Sequence, residues 1–217
     1  MIKNEILKYK HIIFDLDNTI YDEFFYIENL FSSIFTSLSI SRQITRTEFS
    51  RALVHIYRKY NNDKLIQRIY EHLNIFDEIN FDNDLKILKT LIVDANLQVF
   101  RWFDEIVTQS IDPHRWYIVT NGRFEQQQWK IRKLRLNRIF KSKNIIYANL
   151  SLPKPSTECL SGCPEILQNP EHTLMIGDGK VDENFALNIR CNFIKIIFTR
   201  TNRGYCNEKT LIYKKKY

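Results

Sequence analysis

The chain has 217 residues, 44% hydrophobic and 26% charged, with five Gly and five Pro. A chain of this size and composition can bury roughly 70% of its unfolded surface, which excludes wholesale disorder and collagen-like or linker-like architecture. The net charge of +7 favours anionic partners such as phosphorylated metabolites, nucleic acid or a membrane surface.

The opening MIKNEILKYK lacks the apolar stretch and cleavage site of a secretory leader. No apolar run approaches the roughly 18 residues of a membrane span. The four cysteines, Cys159, Cys163, Cys191 and Cys206, form no CxxC pair and have no zinc-like spacing to His, so they read as packing thiols. Together these features lead us to expect a cytoplasmic protein in a reducing compartment.

Taken in chain order, the first predicted element is a strand at His11–Phe14 ending in Asp15. Residues 21–96 follow with helical apolar stripes, among them Phe25, Leu30, Ile34 and Leu38, then Phe49, Leu53, Ile56 and Tyr57, and no buried-strand run. Further strands are predicted at 116–119, 144–147, 173–176 and 193–198. Helices are predicted at 124–136, at roughly 157–168 and at 181–189. Gly162 and Pro164 interrupt the second of these, which could split into two short helices or a loop. The end, Lys214 to Lys216, reads as a solvated terminus. Short apolar strands alternating with helices predict an α/β doubly wound parallel sheet. Its core would be 1–20 and 97–217, with 21–96 a helical insertion.

Four strings carry chemistry. In IIFDLDNTIYDE, Asp15 and Asp17 lie just beyond a strand, on one side of it, with Thr19 following. Ligands of parallel sheets bind beyond the carboxyl ends of strands, and converging carboxylates repel unless a cation such as Mg²⁺ compensates. The alternative is a turn capped by Asp and Asn. In WYIVTNGR, Thr120, Asn121 and Gly122 could cradle phosphate oxygens, or form only a turn. In LPKPS, Lys154 sits between two prolines; it could neutralise phosphate or a buried carboxylate, or lie on the surface. In LMIGDGKVDEN, Asp178 and Asp182 again follow a strand, with Gly177 and Gly179 allowing close backbone approach. Asp182 could equally serve the dipole of the following helix.

The order acid pair, hydroxyl, lysine, acid pair resembles the haloacid dehalogenase superfamily, and the resemblance runs from Ile12 to about Ile196. IVTNGRFEQQQWKIRKLRL looks like the second-motif helix of that family's phosphatase branch, and the insertion matches the position of its helical C1 cap. The resemblance implies a Rossmannoid core and a phosphatase that forms an aspartyl-phosphate. Asp15 would be the nucleophile and Asp17 the general acid and base. Thr120 and Lys154 would bind the phosphoryl oxygens, with Thr19, Asn121 and Gly122 adding phosphate contacts. Mg²⁺ would be held by Asp15, the backbone carbonyl of Asp17, and Asp178, with Asp182 supporting the shell. Asp17 favours phosphoryl transfer, since the name-giving dehalogenases lack this acid. Gly179 departs from the Ser or Asn common in the fourth motif.

The expected substrate is a small soluble phosphorylated metabolite, a sugar or polyol phosphate first and a nucleoside monophosphate next. A sugar phosphomutase and a non-catalytic metal- or phosphate-binding scaffold are the alternatives. No membrane or nucleic-acid partner is expected, and oligomeric state is not legible. Tyr21, Asp22, Glu23 and Arg123 lie beside these motifs and read equally as substrate contacts or as hinge and surface residues.

Overall fold

The computed structural model describes residues 2–75, 77–109, 115–200 and 206–215. They divide into two compact units. The first holds residues 1–22, Leu97–Thr199 and the rest of the last strand from Glu208. It opens with a short helix α1 (Ile2–Ile6) and strand β1 (His11–Phe14), and resumes with helix α6 (Arg101–Gln109). Then come β2 (Trp116–Thr120), α7 (Phe124–Lys133), β3 (Ile145–Tyr147), α8 (Pro164–Leu167), β4 (Thr173–Gly177), α9 (Lys180–Ile189), β5 (Asn192–Arg200) and β6 (Cys206–Lys215).

The strands form one sheet in the order β3-β2-β1-β4-β5-β6. The first five pair in parallel, with Ile13 opposite Tyr117 on one side and Met175 on the other. Apolar side chains on both faces explain why these strands read as continuous apolar runs rather than alternating ones. Ile13, Val119, Met175 and Phe193 pack with Phe185 and Ala186 of α9. The opposite-pointing Phe14 packs edge-on against Phe103 of α6, centroids 5.4 Å apart, and against Trp116 and Phe140. After β3 the chain returns to the far side of β1. The connections leaving β1 and β4 therefore diverge, which opens a crevice at their carboxyl ends.

Three local expectations change. The helix expected near 157–168 is a 3₁₀ turn at Glu158–Leu160 followed by α8, because Pro164 has no N–H to continue a helix and instead starts one. The terminus expected as a solvated tail continues as β6 through Lys215; its Thr210, Leu211, Ile212 and Tyr213 suit a strand, and lysines are common on exposed sheet edges. Lys216 lies outside the described residues. Phe25, expected in the helical core, is 42% exposed.

The second unit comprises Glu23–Asn96 with residues 200 and 206–207. Its helices are α2 (Glu23–Ile34), α3 (Arg46–Tyr60), α4 (Leu65–His72) and α5 (Glu78–Thr90). A capping box starts α3: Thr45 N–H donates to Glu48 Oε2 at 2.8 Å and Glu48 N–H to Thr45 Oγ1 at 3.2 Å. In its core Phe49 packs against both Phe31 and Phe35, rings tilted and centroids 5.3 Å apart. Buried Asp84 accepts hydrogen bonds from Ser39 N–H (2.7 Å) and the Tyr70 hydroxyl, and buried Glu23 accepts from the Tyr57 hydroxyl (3.0 Å). Within the first unit, the ends of the chain that carry this insertion are tied together. Tyr21 and Val99 form an antiparallel bridge, and Phe100 N–H donates to Ile20 O at 2.8 Å.

Candidate active site

Asp15 extends the β1 ladder by one residue, its N–H donating to Ile176 O at 2.9 Å. The chain then turns at Asn18 with φ 55°. That turn brings buried Thr19 back so that its Oγ1 donates to Asp15 Oδ2 at 3.4 Å. Thr19 therefore orients a carboxylate.

Beside it, β4 ends at Gly177, where a Cβ would lie 2.4 Å from Asp182 Cβ. No larger residue fits at 177 while Asp182 folds back over the turn. Asp182 Oδ2 accepts from Gly179 N–H at 3.2 Å, which closes the turn and caps α9. Gly179 itself has room, as a Cβ there would approach Asp182 only to 3.6 Å. Of the two glycines singled out in the sequence, the close approach needs Gly177.

Asp15, Asp178 and Asp182 each bring a carboxylate oxygen within 4.8 Å of the others. Lys154 enters from the loop after β3. Its buried Nζ stands 2.6 Å from Asp15 Oδ1 and 2.7 Å from Asp182 Oδ1. Burial pushes the Asp15 carboxyl up to about 7; Lys154 opposes the shift, while Asp182 and Asp17 add to it. Burial disfavours the Lys154 cation, but the Asp15 and Asp182 carboxylates outweigh it and raise its pKa. Carboxylate oxygens from three acids thus gather at one place, two of those acids in contact with Lys154. A hard dication with oxygen preference fits that donor set, and Mg²⁺ is such an ion.

Thr120 is buried at the end of β2, next to β1, and its Oγ1 donates to Asn121 O at 3.2 Å. Asn121 and Gly122, expected to cradle phosphate, have other partners. Asn121 clamps the backbone of Lys154: Nδ2 donates to Lys154 O at 3.0 Å and Oδ1 accepts from Lys154 N–H at 2.8 Å. Gly122 N–H donates to Asn149 Oδ1 at 2.8 Å. Gly122 has φ 115°, and a Cβ there would meet Gln127 Nε2 at 2.5 Å, so conformation and space both require glycine.

The Asp17 carboxylate stands apart from the acidic trio. Its Oδ1 accepts from Lys130 Nζ at 2.7 Å and from the Tyr21 hydroxyl, and its Oδ2 accepts from Gln127 Nε2 at 2.9 Å. Gln127 and Lys130 are both buried on α7, one helical turn apart. Sequence reasoning missed both, because a helical Lys reads as exposed until its partner, 113 residues away, is placed beside it.

The sequence matches the family of haloacid dehalogenase-like hydrolases over residues 9–189. Comparison with curated proteins gives no significant match. Among solved structures, a haloacid dehalogenase superfamily hydrolase from Ehrlichia chaffeensis is similar at 20% identity and TM-score 0.55, covering 87% of each chain. A Lactobacillus plantarum protein provisionally assigned as a phosphoglycolate phosphatase is similar at 16% identity and TM-score 0.55, over 86% of this chain and 85% of its own. YfnB of Bacillus subtilis, a provisionally assigned hydrolase of the superfamily bound to magnesium, shares 20% identity at TM-score 0.51, over 86% of this chain and 87% of its own. These likenesses are of fold.

Proposed function

Since the chain belongs to the haloacid dehalogenase-like hydrolases, we propose that the bond it hydrolyses is a phosphate monoester of a small soluble metabolite, with Mg²⁺ as cofactor. The observation that carries the reading is Asp17, a second acid held by Lys130, Tyr21 and Gln127 beside a carboxylate trio that already includes Asp15. Attack on carbon needs only the first acid. Expelling an alkoxide from phosphorus calls for a proton donor as well.

In this mechanism Asp15 attacks phosphorus. The new bond joins its carboxylate oxygen to phosphorus as the bond to the leaving oxygen breaks, and Asp17 gives that oxygen its proton. Asp17, now ionised, takes a proton from water as the water oxygen attacks the aspartyl-phosphate, releasing inorganic phosphate and restoring Asp15. Lys154 and Thr120 hold the phosphoryl oxygens while charge moves across them. Asn121 fixes the Lys154 backbone, and Thr19 orients Asp15. Mg²⁺, held by Asp15, Asp178 and the Asp17 carbonyl with Asp182 behind them, would offset the repulsion between an anionic nucleophile and an anionic ester. The helical insertion is the cap in this reading. A sugar or polyol phosphate is the first candidate substrate and a nucleoside monophosphate the second. No helix among the described residues is long and apolar enough to cross a membrane.

The test is release of inorganic phosphate from a panel of sugar, polyol and nucleotide monophosphates, with Mg²⁺ and with EDTA. Mg²⁺-dependent turnover that disappears in Asp15→Asn, with the variant still folded, is expected. A folded, metal-loaded protein that hydrolyses none of them would sink the reading. Mg²⁺ titration by calorimetry would then show whether a metal-binding scaffold remains.

A further inference from the structure

We propose that Lys130, with Gln127 one turn before it on α7, is a positioning residue for Asp17: it holds the proton-transferring carboxylate on a cation of its own, apart from Lys154. The inference rests on the phosphatase reading and adds a role outside the four motifs.

Two lysines hold three of the acids of the site. Lys154 Nζ takes Asp15 and Asp182, at 2.6 and 2.7 Å, and Lys130 Nζ takes Asp17 at 2.7 Å. The Asp17 carboxylate is not among the acids that Lys154 contacts; the ammonium paired with it is that of Lys130. Lys130 and Tyr21 fix one oxygen and Gln127 fixes the other, so the carboxylate plane is set from three directions. A carboxylate offers about four lone-pair sites, and these donors occupy three. The remaining one is aimed by the clamp.

The amide orientation of Gln127 follows from its neighbours. Nε2 lies 2.9 Å from Asp17 Oδ2 and 3.0 Å from Asn121 O, both acceptors, so a flipped amide would set oxygen against oxygen. In the observed orientation Oε1 is buried without a protein partner among the described residues. Keeping an acceptor buried in this way is unfavourable, and the contacts it maintains are those to Asp17 and to the Asn121 carbonyl. The ion pair is lopsided in the same sense. The Lys130 side chain is 1% exposed, whereas that of Asp17 is 20% exposed. Burying a lysine is a poor way to stabilise a helix, since apolar replacements of buried pairs are commonly neutral or better. What the burial does secure is a fixed carboxylate whose open side remains accessible.

The experiment compares Lys130→Met with wild type on two substrates in Mg²⁺: p-nitrophenyl phosphate, whose leaving group departs without a proton, and the best alkyl phosphate of the panel. We expect kcat on the alkyl ester to fall about 100-fold, within the range of general acid catalysis, with KM changed less than about threefold because Lys154 and Thr120 are untouched. On the aryl ester a burst of one equivalent of nitrophenol should appear, since attack by Asp15 continues while hydrolysis of the aspartyl-phosphate slows. In an Asp17→Asn background, Lys130→Met should cost no further activity, because it acts through Asp17. That double variant also removes both charges, so it covers the case in which Lys130→Met alone fails to fold. Equal slowing of both esters without a burst, or a further loss in the Asp17→Asn background, would overturn the inference while leaving the phosphatase reading intact. If wild-type protein hydrolyses neither ester, both fall together.

Discussion

Replacing the lysine at the centre of the acidic trio, Lys154→Met, tests the charge balance of the site directly. Lys154 is 4% exposed, and its Nζ bonds Asp15 and Asp182 within 2.7 Å. Methionine matches its length and leaves the carboxylates of Asp15, Asp178 and Asp182 sharing a space in which their oxygens lie within 4.8 Å. Breaking a buried pair from one side costs about 3–5 kcal/mol, and each kcal/mol moves the midpoint of a chain this long by roughly 2–4 °C. In EDTA at pH 8 the variant should therefore melt about 10 °C below wild type. Mg²⁺ should then recover more for the variant than it adds to wild type, because the ion meets the Asp15 and Asp182 carboxylates without the Lys154 ammonium between them. Differential scanning calorimetry over a Mg²⁺ series reads both quantities. A variant melting within about 2 °C of wild type in EDTA, with the same Mg²⁺ increment, would refute the idea that these side chains form one electrostatic unit.

The raised Asp15 carboxyl gives a pH signature. Between its ordinary value of 3.8 and about 7 the folded protein holds a proton that the unfolded chain has released. Metal-free stability from this group is thus present at low pH and is lost as pH rises through about 7. Wild type minus Asp15→Asn in melting temperature should fall from pH 5 to pH 8 in EDTA; a flat difference would contradict the shift. Gly177→Ala drives a Cβ to 2.4 Å from Asp182, whereas Gly179→Ala stays at 3.6 Å. The first should lose Mg²⁺ binding by calorimetry and the second should keep it. Asn121→Ala removes two hydrogen bonds to the Lys154 backbone, each worth about 1 kcal/mol. A roughly tenfold or greater drop in kcat at unchanged fold is expected, and wild-type turnover would show that Lys154 is held by other means.

The sheet was legible in the sequence because its strands are buried on both faces. After their first residues, His11–Phe14 and Thr173–Gly177 run without a polar side chain and are each followed by an acid, so the crevice-facing residues announce themselves by position. β6 was not legible, because three lysines and one glutamate among its ten residues mask an edge-strand pattern as a solvated tail. At the site, the residues that speak to a ligand by residue type, Asp15, Asp178, Asp182 and Lys154, could be read locally. Those that hold other residues could not. Asn121 followed by Gly122 signals a turn in any chain, and its grip on Lys154 exists only once β2 and the loop after β3 lie together. Lys130 gives no local sign at all, since nothing in α7 reveals that its ammonium is buried opposite an acid from the first strand's exit.

The tie between Tyr21 and Val99, with Phe100 bonded back to Ile20, gives the intervening helices the geometry of a cassette. Both chain crossings sit side by side at one point of the scaffold, so the parallel ladder is indifferent to how much polypeptide is looped out between them. Closing a longer loop costs little more than closing a short one. Lengthening, trimming or exchanging Glu23–Asn96 should therefore leave the ladder, and the carboxylates that follow its strands, as they are.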